Sequence, residues 1–150
     1  MKIKTFKGKL EIGIQEKIHL STNDGLTAYR INKFEVMSSA PGQVENVTYV
    51  AKIYSSDQTD KITDTVDLSE SDLLAVYYYA NHIAVHYPIS SHIIQDRETF
   101  NQDIFIYITD ADGGTTPGNF YLELEQFKID LNASTFHTLK NIRSRTQTGI

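Results

Sequence analysis

The stretch TDADGGTTPGN, residues 109–119, begins like a calcium-binding loop, with two aspartates one residue apart and then two glycines. An EF-hand loop needs oxygen ligands at positions 1, 3 and 5, glycine at 6 and a bidentate glutamate at 12. Counted from Asp110, position 3 is Asp112, but position 5 is Gly114 and position 12 is Tyr121. Glycine, proline and asparagine are typical of a turn. The stretch therefore predicts the tip of a β-hairpin, with an irregular cation site as the alternative.

Three histidines, His82, His86 and His92, form the next candidate cluster. Two imidazoles four residues apart share a face of a helix or a strand and can bind one metal ion. A zinc-protease helix, however, needs glutamate directly after the first histidine, where this chain has Ile83. The spacing fixes no third ligand, so the pattern favours histidines at strand ends or at a subunit seam. We predict no metal site and no cofactor.

Hydrolytic chemistry has weak support in the sequence. Neither a G-x-S-x-G elbow nor a phosphate-binding loop is present, and the absence of cysteine excludes thiol nucleophiles and disulfides. Glu123 and Glu125 share one face of a predicted strand, as a glycosidase pair would, but solvent-facing alternation explains them without any chemistry. A hydrolase using Glu123 or Asp112 is kept as an alternative. The leading prediction is a protein that is not an enzyme.

Composition bounds the class of protein. The 150 residues are 40% hydrophobic and 22% charged, which is typical of one folded domain, 1–150, with its own core. The net charge of −5 argues against a nucleic-acid partner. No apolar run approaches the ~20 residues that a membrane-spanning helix needs. The N-terminus is charged where a signal peptide is apolar, so we expect neither a membrane partner nor secretion.

Alternation with a period of two residues dominates the chain and predicts strands. Residues 9–20 read as one half-buried strand, and 47–53, 103–109 and 119–131 as further strands. The acidic segment, residues 55–72, predicts a loop with a short strand near 65–68. Residues 69–88 fit either a helix or a strand buried on both faces, and we favour the strand because valine and three tyrosines are consecutive. Asn132 or Ser134 is expected to cap a short C-terminal helix, followed by a frayed tail from residue 144.

Two strands change the parity of their apolar residues. Tyr29 and Ile31 are odd whereas Phe34 and Val36 are even, which predicts a β-bulge near residues 32–33. The same kind of change after Leu124 predicts a second bulge near residues 125–126.

Tyrosines and charges suggest an interaction surface. Tyr77 and Tyr79 face opposite to Tyr78 in a strand, so the three cannot all fill one core, and tyrosine is enriched at interfaces. From Phe136 onward the chain is basic and without acids, opposite in sign to the acidic segment, which is compatible with docking between neighbours. The predicted interface residues are Tyr77, Tyr79, Tyr87, Lys140, Arg143 and Arg145.

Residues 97–145 resemble a pattern found in small structural proteins of marine tailed bacteriophages. The shared elements are FNQDIFI, an aromatic-rich strand before LELE, and LN followed by TLKNIR. The resemblance covers about the last third of the chain and, more loosely, VAKIYSSDQ and DLLAVYYYAN. It implies a virion component without catalytic or cofactor-binding residues, either decorating the capsid or sitting in the tail.

The combined expectation is an all-β protein, an antiparallel β-sandwich or jelly roll with a short C-terminal helix. Its expected role is that of a capsid decoration or cement protein, a homo-oligomer bound to subunits of a virus particle. A tail, neck or fibre-base component is one alternative. A carbohydrate-binding module, in which Tyr77, Tyr79 or Tyr87 stacks on sugars, is another.

Overall fold

The computed structural model describes residues 2–42, 46–82 and 89–147, with the backbone alone for residues 138 and 141–147. The described part contains eight strands and one helix. In chain order these are β1 (Lys2–Leu10), β2 (Glu16–Ile18), β3 (Thr27–Ser38), β4 (Val47–Tyr54), β5 (Leu73–Asn81), β6 (Ile89–Ile94), β7 (Ile104–Asp110), β8 (Gly118–Lys128) and α1 (Leu131–Gln147). No helix of this described part is long and apolar enough to span a membrane.

The strands form two antiparallel sheets with a shared core. One sheet has the order β1-β8-β3 and the other the order β2-β7-β4-β5-β6. Alternate side chains of both sheets point into the space between them, where Phe34, Tyr49, Ile106 and Leu122 are fully buried. The predicted fold class, an antiparallel β-sandwich with a C-terminal helix, is confirmed.

The single strand predicted over residues 9–20 is wrong. The chain leaves the three-stranded sheet at Leu10, turns through Gly13 with a φ of 77°, and enters the other sheet as β2. Leu10 and Ile18 are both buried although they belong to different sheets, while Ile14 between them is 57% exposed. The apolar alternation continues across the crossing because both sheets face the same core.

The hairpin predicted for residues 109–119 is also wrong. β7 pairs with β2 and β4, whereas β8 pairs with β1 and β3, so the segment links the two sheets. The Tyr49 hydroxyl donates to the carbonyl of Thr116 at 2.6 Å and holds the crossing against β4. Gly118 packs closely at its end, because a Cβ there would lie 2.7 Å from Cδ1 of Ile108.

One predicted bulge is confirmed and the other is wrong. The pairing of β3 with β8 shifts between Ile31 and Lys33, which lets residues on both sides of the shift face the core. By contrast, β8 keeps a continuous register with both neighbours through residues 125–126. Phe127 changes parity because it lies on the outer face, where the Arg30 guanidinium is 5.7 Å from its ring centroid.

The acidic segment covers the outer face of the five-stranded sheet and contains no strand at residues 65–68. Lys52 is fully buried beneath it and donates from Nζ to the carbonyl of Thr65. The Tyr54 hydroxyl donates to Glu70 at 3.0 Å. This cover explains why β4 and β5 are buried on both faces, and the strand predicted within residues 69–88 is confirmed as β5.

The C-terminal helix is confirmed, but its predicted caps are wrong. Asp130 is the N-cap, since its Oδ1 accepts a hydrogen bond from the backbone N–H of Ala133 at 2.7 Å. Asn132 and Ser134 lie inside the helix. Residues 144–147 are helical rather than frayed, and residues 148–150 lie outside the described residues.

Candidate interaction surfaces and polar clusters

The two described tyrosines of the predicted interface lie in the core. Tyr77 and Tyr79 are 5% and 7% exposed, whereas Tyr78 on the opposite face is 38% exposed. The ring of Tyr77 stacks on His92 with centroids 5.8 Å apart, and that of Tyr79 stacks on Tyr49 at 6.0 Å. Burial raises the pKa of both phenols. Tyr78 faces opposite to Tyr77 and Tyr79, as predicted. The exposed tyrosine of β5 is therefore Tyr78. Tyr87 lies outside the described residues.

This packing contradicts the sugar-stacking interpretation for Tyr77 and Tyr79. A sugar ring binds to a free aromatic face, and each of these rings already has one face on another ring while the rest is buried. The Tyr77 hydroxyl also donates to Oε2 of Glu35 at 3.1 Å, which ties β5 to β3 across the sandwich.

The basic end of the chain attaches its helix to the body. The Lys140 ammonium pairs with the carboxylate of Glu98. One turn earlier, His137 Nε2 lies 3.1 Å from the Thr99 hydroxyl, and burial lowers the pKa of His137. Lys140 therefore contributes to an intramolecular contact. The side chains of Arg143 and Arg145, also predicted at the interface, lie outside the described residues.

Three large apolar side chains of α1 are exposed. Leu131, Phe136 and Leu139 are 71%, 58% and 61% exposed. Ser134, in contrast, is buried, with its hydroxyl 3.4 Å from Nδ2 of Asn101. Neighbouring exposed apolar side chains of this kind mark a surface suited to protein contacts.

A second exposed apolar surface follows β6. Ile89 and Ile93 are 54% and 47% exposed, on the same face as Ser91. Ser91 lies opposite Tyr78 in the β5–β6 ladder, so Tyr78 extends this surface. Within the described part of the chain β6 pairs with β5 alone, and its other edge carries unpaired backbone groups.

A groove of about 660 Å³ adjoins these strands. It is lined by neighbouring residues of the three-stranded sheet around Phe120 and by Tyr77, Tyr79 and Ser90 of β5 and β6. Its volume falls within the range of ligand sites, ~300–1,000 Å³. The lining contains Glu35 as its carboxylate and no histidine. Lys7 and Lys9 also line it, so the groove combines apolar and charged groups.

Thr48, His82 and Asp112 form the cluster that comes nearest to a catalytic arrangement. The Thr48 hydroxyl lies 2.8 Å from His82 Nε2 and donates to Asp112 Oδ2 at 2.7 Å. Asp112 Oδ2 is also 3.4 Å from His82 Nε2. A relay needs the hydroxyl and the carboxylate on opposite ring nitrogens. Here both meet Nε2, so the carboxylate cannot orient the imidazole as a base for the hydroxyl.

The aspartates of the opening motif shape the turn. Asp110 Oδ1 accepts hydrogen bonds from the backbone N–H groups of Thr48, at 3.1 Å, and Asp112, at 2.9 Å. No three His, Asp or Glu side chains of the described part are arranged to hold a metal ion. His86 lies outside the described residues, and His92 packs on Tyr77. No sequence signal indicated the participation of Thr48, which comes from a distant strand.

The paired carboxylates of β8 have different partners. Glu125 accepts two hydrogen bonds from the Arg30 guanidinium, at 2.7 and 3.0 Å, which lower its pKa. Glu123 accepts a hydrogen bond from the Tyr121 hydroxyl at 3.3 Å. A glycosidase needs one carboxylic acid that keeps its proton. Arg30 holds Glu125 in the opposite, ionised state.

Because comparison with known proteins finds no match, function is inferred from the exposed surfaces of β6 and α1. No family model matches the chain, and no curated protein matches it.

Proposed function

We propose that this protein is a non-enzymatic structural subunit of a virus particle, a capsid decoration or cement protein that binds neighbouring protein subunits. The resemblance of residues 97–145 to small phage structural proteins supports the proposal that this protein belongs to a virus particle. The distribution of exposed apolar side chains supports the binding of protein. A tail, neck or fibre-base position is the second candidate, because the same resemblance covers tail components.

The observation that carries the proposal is that two elements, β6 and α1, each expose more than one large apolar residue. β6 presents Ile89 and Ile93, and α1 presents Phe136 and Leu139. A monomer gains nothing from exposing side chains of this size in groups, since each costs hydration free energy of ~25 cal/mol per Å². Contacts of this kind, each weak, add up when many copies bind one shell.

Mass spectrometry of purified particles, followed by gold labelling of the protein, tests this function. We expect a copy number comparable to that of the capsid subunits and label over the shell. Label confined to the tail would favour the second candidate. Absence from purified particles would refute both.

A matched pair of variants links the particle to the surface. Phe136→Ser changes an exposed ring of α1, and Val66→Ser changes a residue of the acidic segment that is 43% exposed. We expect Phe136→Ser to reduce binding to capsids lacking the protein while Val66→Ser leaves it unchanged. Equal binding by both variants would remove α1 from the docking surface.

A further inference from the structure

The described part of the sandwich has four edge strands, and three of them carry features that prevent pairing with another chain. Charge, a bulge or a very short strand each blocks an open sheet edge. β1 carries four lysines, Lys2, Lys4, Lys7 and Lys9, and β2 has three residues. β3 has its register shift at Ile31/Lys33 beside the charged Arg30.

β6 has none of these features. Its sequence, ISSHII, contains no lysine, acid or proline, and its pairing with β5 is regular over six residues. Five of its residues are exposed and the sixth is half-buried. Among the described edges, β6 alone is both long enough and neutral enough to accept another strand.

The backbone direction along β6 follows from one hydrogen bond. The Gln95 N–H donates to the carbonyl of Leu74 in β5 at 2.9 Å, so Gln95 and Leu74 form a hydrogen-bonded pair of the β5–β6 ladder. Hydrogen-bonded and non-hydrogen-bonded pairs alternate along an antiparallel ladder. Ile93 and Ser91 therefore also point their backbone groups toward β5, whereas Ser90 and His92 point theirs toward the open edge.

We propose that β6 pairs antiparallel with β6 of a second copy of this chain, about a two-fold axis at Ser91, to form one continuous sheet. In this register Ser90 of one copy faces His92 of the other, and both have backbone groups free to exchange hydrogen bonds. Ile89 then faces Ile93 on the outer face, at the non-hydrogen-bonded position where side chains approach most closely.

Self-pairing is favoured over a different partner because β6 is complementary to itself. In a two-fold pairing each side chain meets side chains of the same strand, so a charged strand would repel its copy. β6 is neutral apart from the exposed His92, and its two exposed isoleucines lie two residues on either side of Ser91. The pairing brings the two isoleucines of each copy into contact with those of the other copy, with Tyr78 beside them.

This inference deepens the proposed function, since it identifies one protein neighbour as a second copy, but its test needs no virus particle. Sedimentation velocity of the purified full chain over a wide concentration range is expected to show a monomer–dimer equilibrium. Ile93→Lys is expected to weaken dimerisation about tenfold or more, because the change acts twice across the axis. Ile3→Lys is the matched control, on an exposed site of the lysine-rich β1 edge, and is expected to leave dimerisation unchanged.

Amide hydrogen exchange followed by NMR tests the register and detects misfolding of the variant. The Ser91 and Ile93 amides are expected to exchange slowly at every concentration, because they bond to β5. The Ser90 and His92 amides are expected to slow as the dimer forms, and to stay fast in folded Ile93→Lys. A monomer at all concentrations, or protection of Ser90 and His92 that appears only inside particles, would overturn pairing between copies while leaving the virion function open. A protein that forms the dimer but is not incorporated into particles would overturn the virion function while leaving the pairing between copies in place.

Discussion

Asp103 joins the start of β7 to the segment after β2, and replacing it by asparagine tests how much this contact stabilises the sandwich. Its Oδ1 accepts hydrogen bonds from the backbone N–H groups of Leu20, at 2.7 Å, and Ser21, at 2.8 Å. Its Oδ2 lies 3.4 Å from the Lys17 ammonium, and the side chain is 15% exposed. Asp103→Asn keeps the shape and removes the charge.

The lowered pKa of Asp103 determines how much the carboxylate contributes to the free energy of unfolding. Burial by itself raises this pKa, but the hydrogen bonds from Ser21, Leu20 and Lys17 outweigh it and lower the pKa from 3.8 to about 2. At ~1.4 kcal/mol per unit, this difference stabilises the folded state by about 2 kcal/mol at neutral pH. Because the folded pKa is the lower one, the stabilisation is complete above the unfolded pKa. It is lost as the pH falls through 4 toward 2.

Urea unfolding of wild type and Asp103→Asn at a series of pH values measures the effect. We expect the variant to be less stable by about 2 kcal/mol at pH 7 and the gap to close near pH 2, where a protonated aspartate resembles asparagine. Asp60→Asn, at an exposed site of the acidic segment, is the control and should stay within ~0.5 kcal/mol of wild type. A gap that does not change with pH would refute the assignment of the effect to the charge.

Three further predictions concern the crossing, the acidic segment and the helix. Gly118→Ala should lower the free energy of unfolding by ~1–3 kcal/mol in urea titrations, because its Cβ would overlap Ile108; Gly42→Ala, with open space around it, is the control. Lys52→Ala removes a buried stem and the bond to Thr65, so it should cost ~2–4 kcal/mol and speed proteolysis within residues 55–72; unchanged cleavage would contradict the covering role of this contact. Asp130→Ala should remove the N-cap at a cost of ~1 kcal/mol, seen as reduced helical circular dichroism.

Several elements could be predicted from local sequence because their signals are local. The bulge in β3 follows from the parity of Tyr29 and Phe34, since only an extra residue lets both face one core. Consecutive branched and aromatic residues predict β5, and apolar spacing with a basic end predicts α1. The contact of Lys140 with Glu98 could not be predicted in this way, because the two residues are 42 positions apart in the chain.

By itself, the amino-acid sequence determined that this protein is an antiparallel β-structure with a C-terminal helix, since period-two alternation reports the two faces of a strand. The tertiary structure decided which sheet each strand joins, and hence that residues 109–119 cross between sheets and that residues 9–20 are split. It also decided that Tyr78, Ile89 and Ile93 are the exposed residues of their strands. The physical reason is that both sheets of a sandwich direct the same alternation into one core. Pairing between distant segments, and the covering of an outer face by a loop, produce no pattern in the local amino-acid sequence.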